Sequence, residues 1–156
     1  MKKETIYVTG GAGFVGSNLC EKLLFLKYTV VALDNFKTGR YFFLKKCLKN
    51  QNFQIKKIDL KNKKKLINTI KPNSIIFHLS ANADLRFGIN NRIIDIKENI
   101  QVTHNILEAC IKKKIKKIIF SSTGSVYGEA NFFPTPEHYN YPIQTSLYAN
   151  SKNCCE

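Results

Sequence analysis

The sequence predicts an α/β protein organised around a doubly wound parallel sheet. Three observations predict it. Short β-branched apolar runs alternate with longer stretches of helical period. The runs are apolar throughout, as in parallel strands covered on both faces. Polar and glycine-rich motifs follow the runs directly, at the strand ends where open α/β sheets bind ligands.

Residues Thr5 to Thr9 read as the first buried strand. Phe14 to Lys27 read as a helix, with Phe14, Val15, Leu19, Leu23 and Leu24 at helical spacing. Thr29 to Leu33 read as the second strand, and a short helical piece from Tyr41 to Leu48 leads to a third, Phe53 to Ile58. Lys63 to Ile70 look helical and stop before Pro72, which cannot continue a helix. Ser74 to Leu79 follow as the fourth strand. A long helix runs from Ile94 to Cys110, with Ile96, Ile100, Thr103, Ile106, Leu107 and Cys110 on one side. Lys117 to Ser122 read as the fifth strand, a loop spans about Glu129 to Gln144, and a last helix begins near Ser146. No internal repeat or low-complexity linker interrupts the pattern. Right-handed crossovers wind such a chain into a sheet with helices on both faces.

At 156 residues, 44% of them hydrophobic, the chain suffices for one packed domain over residues 1–156 and argues against two. No apolar run nears the roughly 20 residues that span a bilayer. The start, Met1-Lys2-Lys3-Glu4, leads into a short apolar segment without a long h-region or a cleavage site, so no signal peptide is expected. The five cysteines, Cys20, Cys47, Cys110, Cys154 and Cys155, fit neither a disulfide framework nor a zinc spacing. Free thiols in a reducing, cytoplasmic setting and no metal are expected.

The net charge is +14. It raises nucleic acid or an anionic surface as partner, but nearly all the basic residues are lysines, with only Arg40, Arg86 and Arg92 as arginines. The lysines cluster at Lys61 to Lys65 and at Lys112 to Lys117, beside helices and without interleaved aromatics. A solvated surface is the simpler reading, so neither a specific nucleic acid nor a membrane is expected.

The motif after the first strand is Thr9-Gly10-Gly11-Ala12-Gly13-Phe14-Val15-Gly16-Ser17. Gly10 permits a tight turn, Gly13 lets a pyrophosphate approach the backbone at a helix N-terminus, and Gly16 lets the helix pack closely. A glycine triplet alone is weak. This one follows a strand, opens a helix, and is answered at the end of the second strand by Asp34. A carboxylate there accepts from ribose hydroxyls and repels a 2′-phosphate, which points to a Rossmann-type site for NAD rather than NADP. Asp34 also reads as a plain turn residue before Asn35, and the neighbouring Lys37 and Arg40 leave NADP use open. Asp59, at the end of the third strand, reads equally as an acceptor for an adenine amino group or as a helix N-cap.

The fifth strand runs into Ser121-Ser122-Thr123-Gly124-Ser125-Val126-Tyr127-Gly128, and the last helix carries Tyr148-Ala149-Asn150-Ser151-Lys152. Tyr148 and Lys152 are i and i+4 and share a helix face. A nearby ammonium favours phenolate and suits a tyrosine to acid/base work, and the Thr123 hydroxyl would donate to the same substrate oxygen. A Tyr-x-x-x-Lys pair is also a common surface contact; beside a dinucleotide loop it reads as catalytic. His78, alone in an apolar strand, reads as a satisfied core residue.

These residues resemble the extended short-chain dehydrogenase/reductase family, in its branch of NAD-dependent nucleotide-sugar epimerases and dehydratases. The matching stretches are TGGAGFVGSNL from Thr9, LDNFKTGR from Leu33, IDL from Ile58, FHLSANADLR from Phe77, SSTGSVYGE from Ser121 and YANSK from Tyr148. The resemblance implies that Phe14 and Val15 line the pyrophosphate turn and that Asp34, Asn35, Phe36, Lys37, Thr38 and Gly39 hold the adenosine ribose. It implies that Asp59 and Leu60 hold the adenine, that Leu79, Ser80 and Ala81 border the cofactor, and that Asn99 faces it from the long helix. Ser80 departs from the family's usual alanine. Thr123 would be the hydroxyl partner, Tyr148 the acid/base, and Lys152 the ligand of the nicotinamide ribose. The family's dehydratases carry an Asp-Glu pair after the hydroxyl residue; Gly124 and Ser125 stand there in this chain, which favours an epimerase or a reductase.

The resemblance further implies a UDP-linked or similar nucleotide-sugar substrate and transient hydride transfer at sugar C4. Members of the family are about twice as long, and their second half grips the nucleotide sugar. The sheet is therefore expected to be incomplete at its C-terminal end, and the 156 residues alone to bind NAD weakly and turn over no sugar. A truncated or non-catalytic NAD-binding module is the alternative. Relatives dimerise through their long helix and catalytic helix; a homodimer is left open here.

Overall fold

The computed structural model describes residues 4–82, 84–139 and 143–156. The expected features at Met1 to Lys3, and the part of the Glu129 to Gln144 loop at 140–142, lie outside the described residues. The chain divides into two compact units, Met1–Ser80 with Asn105–Ser121, and Ala81–His104 with Ser122–Glu156.

The first unit holds the whole sheet. Strands β1 (Thr5–Thr9), β2 (Thr29–Asp34), β3 (Phe53–Lys57), β4 (Ile75–His78) and β5 (Lys117–Phe120) pair in the order β3-β2-β1-β4-β5. Every pairing is parallel. This is the strand order of a dinucleotide-binding sheet, reversing direction at β1. β1 and β2 are buried along almost their whole length, so their apolar runs have no polar face. β3 departs from that pattern. Gln54 and Lys56, on one face of this edge strand, and Lys57, at the end of the strand, are exposed. β5 forms the other edge, with Ile118, Ile119 and Phe120 half-buried.

Helix α1 (Phe14–Phe25) buries Gly16, Ser17, Cys20, Leu23 and Leu24, and packs with Ile6, Val8, Val30, Ala32, Leu44, Cys47 and Phe53 into one core cluster. Burial pushes the Cys20 thiol up to about 12, with Cys47 beside it as a lesser cause. Helix α2 (Lys63–Thr69) starts at Asn62, whose side chain accepts from the Lys65 N–H. The buried Tyr7 hydroxyl donates to the Thr69 carbonyl (3.2 Å) and accepts from the Lys71 N–H (3.0 Å), tying β1 to the turn before β4. That burial raises the phenol above its ordinary value.

The second unit is helical. A six-residue helix α3 (Leu85–Asn90), which the sequence pattern does not announce, is capped by Asp84, whose carboxylate accepts from the Arg86 N–H. The long helix begins at Ile94 and opens with a π-helical turn, Ile96–Ile100. It continues as α4 (Gln101–Lys113), whose residues from Asn105 onward belong to the first unit, and it runs three residues past the expected end, finishing on Lys112 and Lys113, where cations suit the helix dipole. A 3-10 turn, Gly124–Tyr127, leads towards α5 (Leu147–Cys155). All five cysteines are free. No helix among the described residues is long and apolar enough to cross a membrane.

Candidate active site

In the first unit, the turn between β1 and α1 is built for close approach. Gly10 sits at φ 65°, which an L side chain resists, and a Cβ there would lie 3.1 Å from the Ser80 backbone. A Cβ on Gly16 would fall 2.2 Å from the Gly10 carbonyl oxygen, so only glycine lets α1 start this close to the strand. Gly13 is the N-cap of α1 and supplies no side-chain cap, and no acidic residue stands in the first turn. Phe14 and Val15 are 74% and 63% exposed. The first-turn N–H groups thus lack a capping side chain, and Phe14 and Val15 stand at the surface, an arrangement that suits a pyrophosphate.

Asp34 closes the other side of this turn. One carboxylate oxygen accepts from the Ala12 N–H (2.9 Å), the other from the Phe36 N–H (2.8 Å). The Arg40 N–H donates to the Ala12 carbonyl, and a Cβ on Gly39 would come within 2.9 Å of both Asp34 and Ala12. The loop Asp34 to Gly39 therefore folds against the glycine turn. Both readings of Asp34 meet here: it makes the turn, and each oxygen keeps a lone pair for a further donor. Phe36, at φ 62°, stacks on Tyr41 with ring centroids 4.2 Å apart. Lys37 donates its N–H to Asn35 Oδ1.

Thr9 organises the third wall, which sequence reasoning did not single out. Its hydroxyl oxygen accepts from the N–H groups of Leu79 and Ser80, both at 3.1 Å. With both lone pairs used, its proton goes to His78 Nδ1 at 2.8 Å. His78 is fully buried and so serves as the satisfied core residue expected of it. Leu79 and Ser80 thereby border the glycine turn.

Asp59 is not a helix cap. It accepts from the Lys61 N–H in a turn and pairs loosely with the Lys61 ammonium (3.5 Å), while Asn62 takes the cap. Behind the Asp59–Leu60 turn stands the buried Asn105 of α4, whose amide donates to the carbonyls of Leu60 (3.0 Å) and Lys61 (3.2 Å). No pattern in the sequence marks Asn105, because its partners lie more than 40 residues away.

In the second unit, Ser146 caps α5 by accepting from the Ala149 N–H. α5 carries Tyr148, half-buried, and Lys152, 3% exposed, one helical turn apart. Burial lowers the Lys152 ammonium below its ordinary value, and the neighbouring Cys155 and Glu156 oppose that shift. Thr123 is half-buried and caps the 3-10 turn, accepting from the Ser125 N–H. Gly124, beside it, has nothing within 4 Å of where a side chain would begin. Asn99 lies in the π-helical turn, buried, with its amide donating to Ser151 Oγ (2.7 Å) and its oxygen accepting from the Asn82 N–H (2.7 Å). Ala81 precedes Asn82 on that strand-to-helix connection. Asn82, Asp95 and Ser151 were not legible in the sequence. No cluster of three metal-ligating side chains exists among the described residues.

The model of the NAD dependent epimerase/dehydratase family matches residues 6–156. The chain belongs to this family. Among its relatives, a putative UDP-glucose 4-epimerase of Methanocaldococcus jannaschii is 40% identical over 149 residues, covering 94% of this chain and 47% of that one. A UDP-glucose 4-epimerase of Thermotoga maritima, solved with UDP-glucose, superposes with TM-score 0.86 at 35% identity, over 97% of this chain and 48% of that one. The Thermus thermophilus UDP-glucose 4-epimerase, solved with NAD, superposes with TM-score 0.85 at 30% identity, over 97% and 48%. The chain spans about half the length of each. Membership agrees with the five-stranded parallel sheet and with the open glycine turn, since the family is NAD-dependent by its description.

Proposed function

We propose that this chain is the NAD-binding domain of a nucleotide-sugar 4-epimerase of the UDP-glucose type and carries its acid/base residues. One observation carries the reading furthest: Tyr148 and a buried Lys152 share one face of a capped helix, in a chain whose glycine turn offers uncapped N–H groups.

In this reading the N–H groups at Phe14, Val15 and Gly16 bind the pyrophosphate, while Gly13, whose own N–H donates to the Gly10 carbonyl (3.0 Å), lets it approach the backbone. Asp34 accepts from the adenosine ribose with its free lone pairs, and Asn35 to Gly39 shape the loop around it. Asp59 and Leu60 border the adenine; Leu79, Ser80, Ala81 and Asn99 border the rest of the dinucleotide. When bound, NAD supplies a reversible hydride acceptor for sugar C4. Tyr148 takes the proton of the 4-hydroxyl as that hydride leaves, and the Thr123 hydroxyl holds the same oxygen in line. Lys152 binds the nicotinamide ribose and places positive charge beside the phenolate. After the 4-keto sugar turns over, Tyr148 returns its proton as hydride adds to the opposite face. Net redox is zero. The open space at Gly124 supports epimerisation over elimination: an acid would fit there, and none is present.

The isolated 156 residues are expected to bind NAD weakly and to leave UDP-galactose unchanged. Fusing this chain to the second half of the Thermotoga maritima enzyme tests the assignment. The fusion is expected to interconvert UDP-galactose and UDP-glucose in a coupled assay. Tyr148→Phe in that fusion should lower kcat by about 10²–10⁴-fold, the range for removing a positioned acid/base. A fusion that binds NAD but works equally well without the Tyr148 hydroxyl would sink the mechanism.

A further inference from the structure

We propose that Asp95 is a positioning residue: its buried carboxylate sets the direction of a hydrogen-bond chain through Asn99 and Ser151 that holds the Tyr148–Lys152 turn of α5. The catalytic consequence rests on the function proposed above; the geometry does not.

Asp95 is 2% exposed, and Asn82, Asn99 and Ser151 are buried with it. Asp95 Oδ1 accepts from Asn82 Nδ2 at 2.9 Å and from Asn99 Nδ2 at 3.4 Å. Asn99 Nδ2 also donates to Ser151 Oγ at 2.7 Å, and Ser151 Oγ donates to the Tyr148 carbonyl at 2.7 Å. The Asn82 N–H donates to Asn99 Oδ1 at 2.7 Å.

The order of donors in this chain follows from one group. Asp95 Oδ1 is the shared acceptor, so both asparagines turn their NH₂ groups towards Asp95. For Asn99 this leaves Oδ1 towards the Asn82 N–H and the remaining amide hydrogen towards Ser151. Ser151 has a single proton, spent on Tyr148, and so must accept from Asn99. If Asn99 flipped, its oxygen would face a carboxylate, and its NH₂ would face a backbone N–H. The π-helical turn begins directly after Asp95 and carries Asn99, and such bulges re-aim side chains at functional sites. On the other side, a Cβ on Gly88 would lie 2.8 Å from Asp95 Oδ2, so α3 leaves that oxygen its space by having none. Asp95 thus orders the connection at Asn82 and the first turns of α5 together. Deleting this carboxylate takes from two buried amide groups the acceptor they share.

The test uses the 156-residue chain with two probes. NADH, followed by nicotinamide fluorescence, reports the end of the ligand that Tyr148 and Lys152 would hold. ADP reports the adenine end alone. Asp95→Leu is expected to weaken NADH by about tenfold, one buried hydrogen bond's worth, and to leave ADP within about twofold. Asp95→Asn keeps an oxygen at the Oδ1 position and is expected to bind both probes like wild type. NADH affinity unchanged in Asp95→Leu, equal loss of both probes, or failure of Asp95→Asn to rescue would each overturn the assignment. If Asp95→Leu does not fold, Ser151→Ala cuts the chain at its far end: selective loss of NADH supports the proposal, and unchanged NADH overturns it. If wild type binds neither probe, the function proposed above is at fault, and amide exchange still decides. Protection of the Asn82 N–H should then be lost in Asp95→Leu and kept in Asp95→Asn, and the opposite pattern overturns the proposal.

Discussion

Lys152 is a charged group with 3% of its surface exposed, and burial lowers its ammonium below the ordinary value. The sign of the consequence follows by linkage. A base whose folded pKa lies below its unfolded one penalises the folded state at low pH. That penalty is fully present below the folded pKa and vanishes above the unfolded value, about 10.4. Lys152→Met, similar in length and uncharged, should raise the thermal midpoint near pH 7 by about 2–4 °C per kcal/mol recovered, with the gain shrinking as pH approaches about 10.4. Thermal melts of both proteins from neutral pH upward check this; a gain independent of pH would show that packing, not charge, was responsible. The same residue illustrates a division of labour between sequence and structure. Its spacing from Tyr148 is legible as i and i+4, whereas its burial depends on what α5 packs against.

At the scale of elements, α5 depends on its first turn. Ser146 caps it through the Ala149 N–H at 3.0 Å and so fixes the turn in which Tyr148 stands. Ser146→Ala should cost about 1 kcal/mol of stability and fray the turn that bears Tyr148. Urea unfolding and amide exchange along residues 147–151 measure the two effects, and an unchanged midpoint with unchanged exchange would refute the capping role. The five strands were legible as short β-branched apolar runs, and the long helices by a 3.6-residue period held over enough residues to show. β3 was legible as a strand but not as an edge, since edge status depends on sheet order. Helix α3 was not legible: six residues are too few for a periodic signal. The π-helical turn escaped for a different reason, as its extra residue leaves no mark in a helical pattern.

At the scale of the whole molecule, a net charge of +14 on 156 residues makes self-repulsion a standing cost of folding. Raising salt from about 0.01 M to about 0.15 M shrinks the screening length from ~30 Å to ~8 Å, and should raise the thermal midpoint by a few degrees. A midpoint that falls with added chloride would mean that ion pairs such as Lys46–Glu21 and Lys63–Glu108 outweigh the repulsion. What the sequence determined by itself is the ordered series of strands and helices, the glycine turn answered by Asp34, and the Tyr148–Lys152 spacing. Each is local, carried by periodicity or by a short offset that any reader of the chain can count. Only the tertiary structure decided which polar groups close on one another: Thr9 on Leu79 and Ser80 across 70 and 71 residues, Asn105 on Leu60 across 45, and Asn99 on Ser151 across 52. Hydrogen bonds at such separations have no period to read. They exist because folding removes these groups from water and leaves each to find a partner through space.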